Sequence, residues 1–188
     1  MPIKIHTEPA REPVEIDLMK VFLRVNASDE TFLIESCIKA ARDYAEEFMR
    51  RALVTQTWEI TLPGFPDLNG PIILPLPPLQ TVTSVTYIDD NGTSTVMSSA
   101  LYSVDTVSEP GRIHLAYGED WPSTRDQWNA VVVRYVCGYG NPEAVPVQIR
   151  QGLMADVSGL FENRGDVPAP EFRKVAETLY WSKRVEIV

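Results

Sequence analysis

The sequence predicts an α+β protein: a small helical bundle of about four helices with an inserted antiparallel β-sandwich or barrel-like unit. Two changes of hydrophobic period carry this reading. Between 50 and 62 a helical repeat stops and strict alternation begins, with Trp58, Ile60 and Leu62 on one side and Thr57, Glu59 and Thr61 on the other. The helical period returns only after Pro146, and between the two changes short β-branched runs are punctuated by turn residues. The expected division is 13–53 with 146–182 as the helical core, 54–140 as the β-rich insert and 183–188 as an extended tail. Both ends of an insert leave its host together, so Val54 and Gly138 are expected to lie close in space.

Pro13 stands where a first helical turn can begin, and Ile16, Met19, Phe22 and Leu23 follow at helical spacing up to Val25 and Asn26. Ser28 or Asp29 is placed to cap a second, longer helix, with Glu30 in the first turn, where the helix dipole favours an acid. Its core stripe is Leu33, Cys37, Ala41, Tyr44 and Phe48, widened by Ile34, Ile38 and Ala45 enough to meet more than one neighbour. Arg42, Arg50 and Arg51 fall on the other face or at the C-terminal end.

Strands are expected at 55–62, at 72–74 (stopped by Pro75, Pro77 and Pro78), and at 79–89 and 93–97 across an Asp90-Asn91-Gly92 turn. Tyr102, Val104 and Thr106 alternate up to Glu109-Pro110-Gly111, and Ile113 and Leu115 answer them. A loop holding Trp121 and Trp128 leads to a strand at 130–136, with Val131, Val133 and Tyr135 on one face. Gly138-Tyr139-Gly140-Asn141-Pro142 breaks the β pattern, and Pro146 opens a third helix with Ile149, Leu153, Val157 and Leu160 inward. Asn163-Arg164-Gly165 ends it. Pro168 and Pro170 introduce a last helix with Phe172, Val175 and Leu179 inward, and the remaining alternating residues form the tail.

The net charge of −9 is unevenly spread. Residues 54–140 contain no lysine and set only Arg112, Arg125 and Arg134 against 9 acidic side chains. This excludes the basic footprint of tight non-specific nucleic-acid binding, whereas an acidic wall suits a channel through which DNA must slide. No apolar run approaches the roughly 20 residues that span a bilayer, and the first eleven residues hold no signal core. Cys37, on a helical apolar face, and Cys137, at a strand end, are expected as two buried thiols in a reducing compartment rather than a disulfide.

No catalytic, cofactor-binding or metal-ligating set emerges. His6 lies in a polar N-terminal segment and His114 points outward from a strand, with no nucleophile beside either. Two Cys and two His at unrelated positions supply no zinc site. Gly138-x-Gly140 lacks the third glycine and the Lys-Ser/Thr pair of phosphate loops, which leaves a strand-to-helix breaker. Asp89-Asp90-Asn91-Gly92 lacks the later acidic ligands of a calcium loop and reads as a hairpin turn. The carboxylate pairs Glu119-Asp120, Asp105 with Glu109, and Glu46-Glu47 read as solvated surface. Trp121, Trp128, Tyr180 and Trp181 are awkward to bury in so small a unit. They serve either as protein–protein contacts or as covers for the open ends of the sandwich.

The order of several segments is informative as a whole. Phe22-Leu23-Arg24-Val25 precedes the helix Ala40-Ala41-Arg42-Asp43-Tyr44-Ala45-Glu46, which closes on Arg51-Ala52-Leu53-Val54-Thr55-Gln56-Thr57-Trp58. Leu76-Pro77-Pro78-Leu79-Gln80-Thr81-Val82, Ser84-Val85-Thr86-Tyr87, Tyr102-Ser103-Val104-Asp105, Pro110-Gly111-Arg112-Ile113, Gly138-Tyr139-Gly140 and Val145-Pro146 follow. From about residue 12 to about residue 163 this series resembles the head–tail connector (adaptor, or head-completion) proteins of tailed phages, prophages and gene transfer agents. The resemblance implies a ring, commonly of twelve copies, docked beneath the portal protein and joined below to a stopper or tail-completion protein. It further implies double-stranded DNA passing through the centre without sequence-specific binding, no membrane, no cofactor and no catalytic residues. The location it implies is the virion, after synthesis in the host cytoplasm.

Adaptors that this chain resembles dock on the portal through extended terminal segments. Here Tyr180, Trp181, Lys183, Arg184, Val185 and Ile187 combine an aromatic anchor, a basic pair and a β-prone tail able to add a strand to a neighbour. On that basis 181–188 is assigned to portal contact, with terminal disorder as the alternative. Either way, loss of 183–188 is expected to leave the subunit's melting temperature unchanged. Two other classes stay open: a small acidic module that binds a ligand or glycan through the insert, and a hydrolase working through paired carboxylates.

Overall fold

In a computed structural model, which describes residues 2–25, 30–163 and 170–186, the chain is α+β. Among the described residues it has four α-helices, a five-stranded antiparallel sheet and a three-stranded one. It divides into two compact units, 1–9 with 55–138 and 10–54 with 139–188.

The first unit holds the strands β1 (Ile3–Thr7), β2 (Gln56–Leu62), β3 (Ile72–Leu74), β4 (Leu79–Ile88), β5 (Ser94–Val96), β6 (Tyr102–Asp105), β7 (Gly111–Leu115) and β8 (Val131–Cys137). The larger sheet runs β1-β2-β8-β4-β5 and the smaller β3-β7-β6. Alternation sets which side chains enter the core: Val131, Val133, Tyr135 and Cys137 of β8 are buried, and the intervening residues are half-exposed. Tyr135, fully buried, donates its hydroxyl to Pro75 O at 3.1 Å, which ties the central strand of the large sheet to the end of β3. The Asp90-Asn91-Gly92 turn forms as expected. Asp89 Oδ1 accepts the amides of Asn91 and Thr93 at 2.9 and 2.8 Å, and Gly92 takes φ 85°, which a side chain would resist.

β1 is a departure from the sequence reading, which left the N-terminus as a polar segment. Ile3, Lys4 and Ile5 pair with Ile60, Glu59 and Trp58, which makes β1 an edge strand. The run Ile3-Lys4-Ile5-His6-Thr7 alternates, but its two faces are nearly equally exposed. A charged rung explains its attachment. Lys4 and Arg134 lie opposite Glu59 in the register, and Glu59 receives Lys4 Nζ at 2.8 Å and Arg134 Nη2 at 2.6 Å. Covered in this way, Glu59 is only 5% exposed although it points away from the sandwich core. The hydrogen bond from Lys4 and those from Arg134 hold its carboxyl below the usual range against the opposing effect of burial.

A carboxyl with a depressed pKa in the folded state stabilises fully above its unfolded pKa, and that stability is lost as pH falls through the folded value. Glu59→Gln should therefore cost on the order of 1 kcal/mol near neutral pH, discounted for the exposure of Lys4, and should flatten the acid limb of the stability–pH curve. Urea unfolding at a series of pH values checks both; an acid limb identical in the two proteins would contradict the assignment.

The second unit holds α1 (Ile16–Leu23), α2 (Thr31–Met49), α3 (Val147–Glu162) and α4 (Pro170–Trp181). The capping candidates Ser28 and Asp29 lie outside the described residues, as do Arg164, Gly165 and Pro168. Ile34, Cys37, Ile38, Ala41, Ala45 and Met49 of α2 pack with Ile149, Leu153, Met154, Val157 and Phe161 of α3. Leu33, Phe48 and Leu160 take peripheral places in that core. Cys37 and Cys137 are both buried, one in each unit.

Two expectations change in this unit. Arg42 is buried rather than on an outer face, because its guanidinium reaches Glu12 Oε2 at 2.8 Å, Asp43 Oδ1 at 2.9 Å and Glu46 Oε2 at 3.2 Å. Glu46 also accepts the Leu53 amide at 2.7 Å, so the ion cluster fixes the chain just beyond α2. In α4, Val175 faces solvent, Leu179 is half-buried, and the inward residues are Ala176 and Tyr180. The side chain of Phe172 lies outside the described set. Tyr180 sits where α3 offers a glycine: a Cβ on Gly152 would come within 2.5 Å of its ring.

The chain passes between the units beside Val54 and Gly138. Gln56 pairs with Cys137 in the first unit, and the Tyr139 amide donates to Leu53 O at 3.0 Å in the second.

Candidate functional site

In the helical unit Asp156, Arg173, Tyr44, Glu177 and Tyr180 form a polar cluster that links α2, α3 and α4. Burial raises the Asp156 carboxyl above the usual range, with the Arg173 guanidinium, Nη2 at 3.5 Å, opposing it. Tyr44 donates to Glu177, and burial with this bond pushes its hydroxyl up to about 12. The Arg173 guanidinium lies 4.0 Å from the centre of the Tyr44 ring, a cation–π contact. Asp156 Oδ2, Arg173 Nε and the Tyr180 hydroxyl have no hydrogen-bond partner among the described residues. The cluster is a fastener for α4, built on a helix whose inner face offers little apolar surface.

The histidines belong to different sheets. His6 on β1 has Nδ1 3.6 Å from Glu59 Oε1, and His114 on β7 has Nδ1 2.9 Å from Leu115 O. Asp105 organises a turn rather than a reaction. Its carboxylate takes the Ser108 hydroxyl at 2.7 Å, the Ser108 and Val107 amides, and Arg112 Nε at 2.9 Å, which together hold it well below the carboxylate range. Asp120 accepts Asn69 Nδ2 at 2.7 Å within the loops. Among the described residues no group of three or more His, Cys, Asp or Glu side chains is placed to hold a metal ion. No described helix is long and apolar enough to cross a membrane.

The candidate contact residues divide between the units. In the first, Trp121 stacks on Phe65 with centroids 4.8 Å apart, Phe65 meets the edge of Tyr87, and the Trp121 indole N–H donates to Gly70 O at 3.1 Å. Trp121 thus clips two loops together. Trp128 is left 86% exposed and, with Tyr117, is an aromatic that this loop presents outward.

In the second unit Tyr180 is fully buried, which removes it from the contact set. Its ring fills the space above Gly152 and lies 6.2 Å from Phe48. Trp181, one residue on, is 64% exposed. The tail folds back on its own helix instead of standing free: Arg51 Nε donates to Lys183 O at 2.9 Å and the Val185 amide to Met49 O at 2.9 Å. Arg184 lies 5.2 and 5.4 Å from the centres of the Phe48 and Trp181 rings. These bonds satisfy carbonyls at the end of α2 and of the tail, so the expectation that loss of 183–188 would not touch stability is not met by the geometry. Ile187 lies outside the described residues. Arg50, Trp181, Arg184, Val185 and Glu186 line an open groove of about 310 Å³ at this end of the helices.

The exposed stripe of α1 escaped the sequence reading. Leu18, Val21 and Phe22 face solvent, and Phe32 in the first turn of α2 does the same. The signal was present: 18, 21 and 22 form a second apolar row at helical spacing beside the inward row of Ile16, Met19 and Leu23.

No family model matches the sequence, and no curated protein matches it. Solved structures do. A chain of the neck of an empty gene transfer agent (GTA) particle computed with C6 symmetry is 22% identical, with a TM-score of 0.84 over 100% of this chain and 97% of that one. A chain of the virion of a native GTA particle is 19% identical, with a TM-score of 0.78 over 100% and 98%. A chain of the neck of a native GTA particle computed with C12 symmetry is 20% identical, with a TM-score of 0.77 over 100% and 98%. At these identities the likeness is one of fold, and it runs through both units.

Proposed function

We propose that this chain is a structural protein of the virion neck, a head–tail connector (adaptor) that forms a ring beneath the portal. In this reading the ring, of twelve copies, joins the portal protein to a stopper or tail-completion protein, and double-stranded DNA passes through its lumen. The observation that carries it is the end-to-end fold likeness to neck chains of GTA particles, helical unit and β-unit together. The order of segments between about 12 and 163 supports the same family. The scarcity of cations in 54–140, where DNA sliding past a wall gains nothing from capture, suits a conduit. The role needs no catalytic step. Among the exposed aromatics, Trp128 and Trp181 are two through which neighbouring proteins would be met. Lys183, Arg184 and Val185 act by holding the end of α2 in shape behind Trp181.

Removing the chain from a particle-producing strain tests this. DNA-containing heads that lack tails or leak their DNA are expected, with recovery when the chain is supplied in trans. Normal yields of tailed, functional particles without it would refute the proposal.

A further inference from the structure

The helical unit leaves apolar side chains in solvent: Val175 lies along α4, and the others fall on α1 and at the two ends of α2. With 19 residues this helix spans about 28 Å. At its start Phe32 is 80% exposed. α1, which leads into that start, turns Leu18, Val21 and Phe22 outward while Met19 enters the core. A helix apolar on two faces is built to be covered on both.

Three helix termini meet at the other end. The Val185 amide joins the tail to Met49 O, and Ser182 Oγ lies 3.4 Å from Gln148 Oε1, which brings the end of α4 to the start of α3. Val147 and Trp181 are exposed there, beside the groove lined by Arg50 and Arg184. The charges differ as well. The first turns of α2 bring Glu30 and Glu35, with Lys20 and Arg24 on the approach, whereas the far end brings Arg50, Lys183 and Arg184 against Glu47 and Glu186.

We infer that these two ends are the halves of one head-to-tail contact between copies of this chain. The Phe22–Phe32 end of one copy covers Trp181, Val147 and the groove of the next, and Glu30 and Glu35 approach Arg50 and Arg184. Two like patches would join a pair of copies and stop. Unlike patches at opposite ends of one helix keep a free half on every copy until a ring closes. The inference rests on the reading of the chain as a ring subunit and names the surface that builds the ring.

Cysteine cross-linking of the full chain tests it, with a low background because Cys37 and Cys137 are buried. Phe32→Cys mixed with Trp181→Cys should give intermolecular disulfides, and neither variant alone should do so. Phe32→Ser and Trp181→Ser should each weaken self-association about tenfold or more in sedimentation velocity and leave the melting temperature unchanged, both side chains being exposed. Cross-linking of either cysteine variant with itself would overturn the inference. So would an absence of mixed cross-links where the chain sediments as an oligomer, or a chain that stays monomeric at every concentration. A particle whose neck holds this chain in a ring with the two ends apart would defeat the contact and leave the connector function standing. A neck without the chain would defeat that function itself.

Discussion

Tyr180→Ala should be among the most destabilising single substitutions in the chain, costing about 3–5 kcal/mol in urea or thermal unfolding. Tyr180 is fully buried, packs over Gly152 of α3 and lies near Phe48 of α2, so among the described side chains of α4 its ring and Ala176 are the fully buried ones. Tyr180→Phe separates the ring from the hydroxyl. The hydroxyl has no partner among the described residues, so the phenylalanine variant should be as stable as the parent or more so. Gly152→Ala probes the same contact from the other side: with a Cβ 2.5 Å from the ring, it should cost about 1–3 kcal/mol despite the better helix propensity of alanine. A folded, fully stable Tyr180→Ala protein that fails only in assembly would restore Tyr180 to the contact surface.

Arg42→Ala should cost about as much, roughly 3–5 kcal/mol, for a different reason. Burial opposes the charge on Arg42, but Glu12, Glu46 and Asp43 outweigh it and raise the guanidinium pKa above its ordinary value. Removing the cation takes away the charge that Arg42 Nη1 brings to the buried Glu46 carboxylate at 3.2 Å. The double substitution Arg42→Ala/Glu46→Ala should recover part of the loss, the mark of a coupled pair. Additive losses, or a single-variant cost below about 1 kcal/mol, would mean that the cluster is surface decoration.

These two residues also show where sequence reasoning ran out. The α+β class and the hydrophobic faces of α2, α3 and β8 were legible because each element follows a single period. Arg42 was not, since its burial depends on Glu12, thirty positions away and joined only by the fold. α4 misled because Val175 looks like core, while the face turned inward carries Arg173, Glu177 and Tyr180 around the buried Asp156. β1 was missed although Ile3 and Ile5 alternate with Lys4 and His6, because the run is only five residues long and its anchor, Glu59, was assigned to the solvent side.

The contact surface was legible only in part. Trp128 and Trp181 stand exposed, but Trp121 is held by Phe65 and Gly70 in a way that only three-dimensional packing reveals. Lys183 to Val185 read as a free arm because alternating, basic termini usually are. Here the open carbonyl of Met49 and the Phe48 ring give the arm a place on its own chain.

The most direct measurement is electron cryo-microscopy of the neck in particles from the organism that encodes this chain, at a resolution that traces side chains. The account predicts a ring of copies between portal and tail, each with the four helices and two sheets described above and with the lumen open to DNA. A neck filled by other proteins, with this chain absent from the particle, would contradict it.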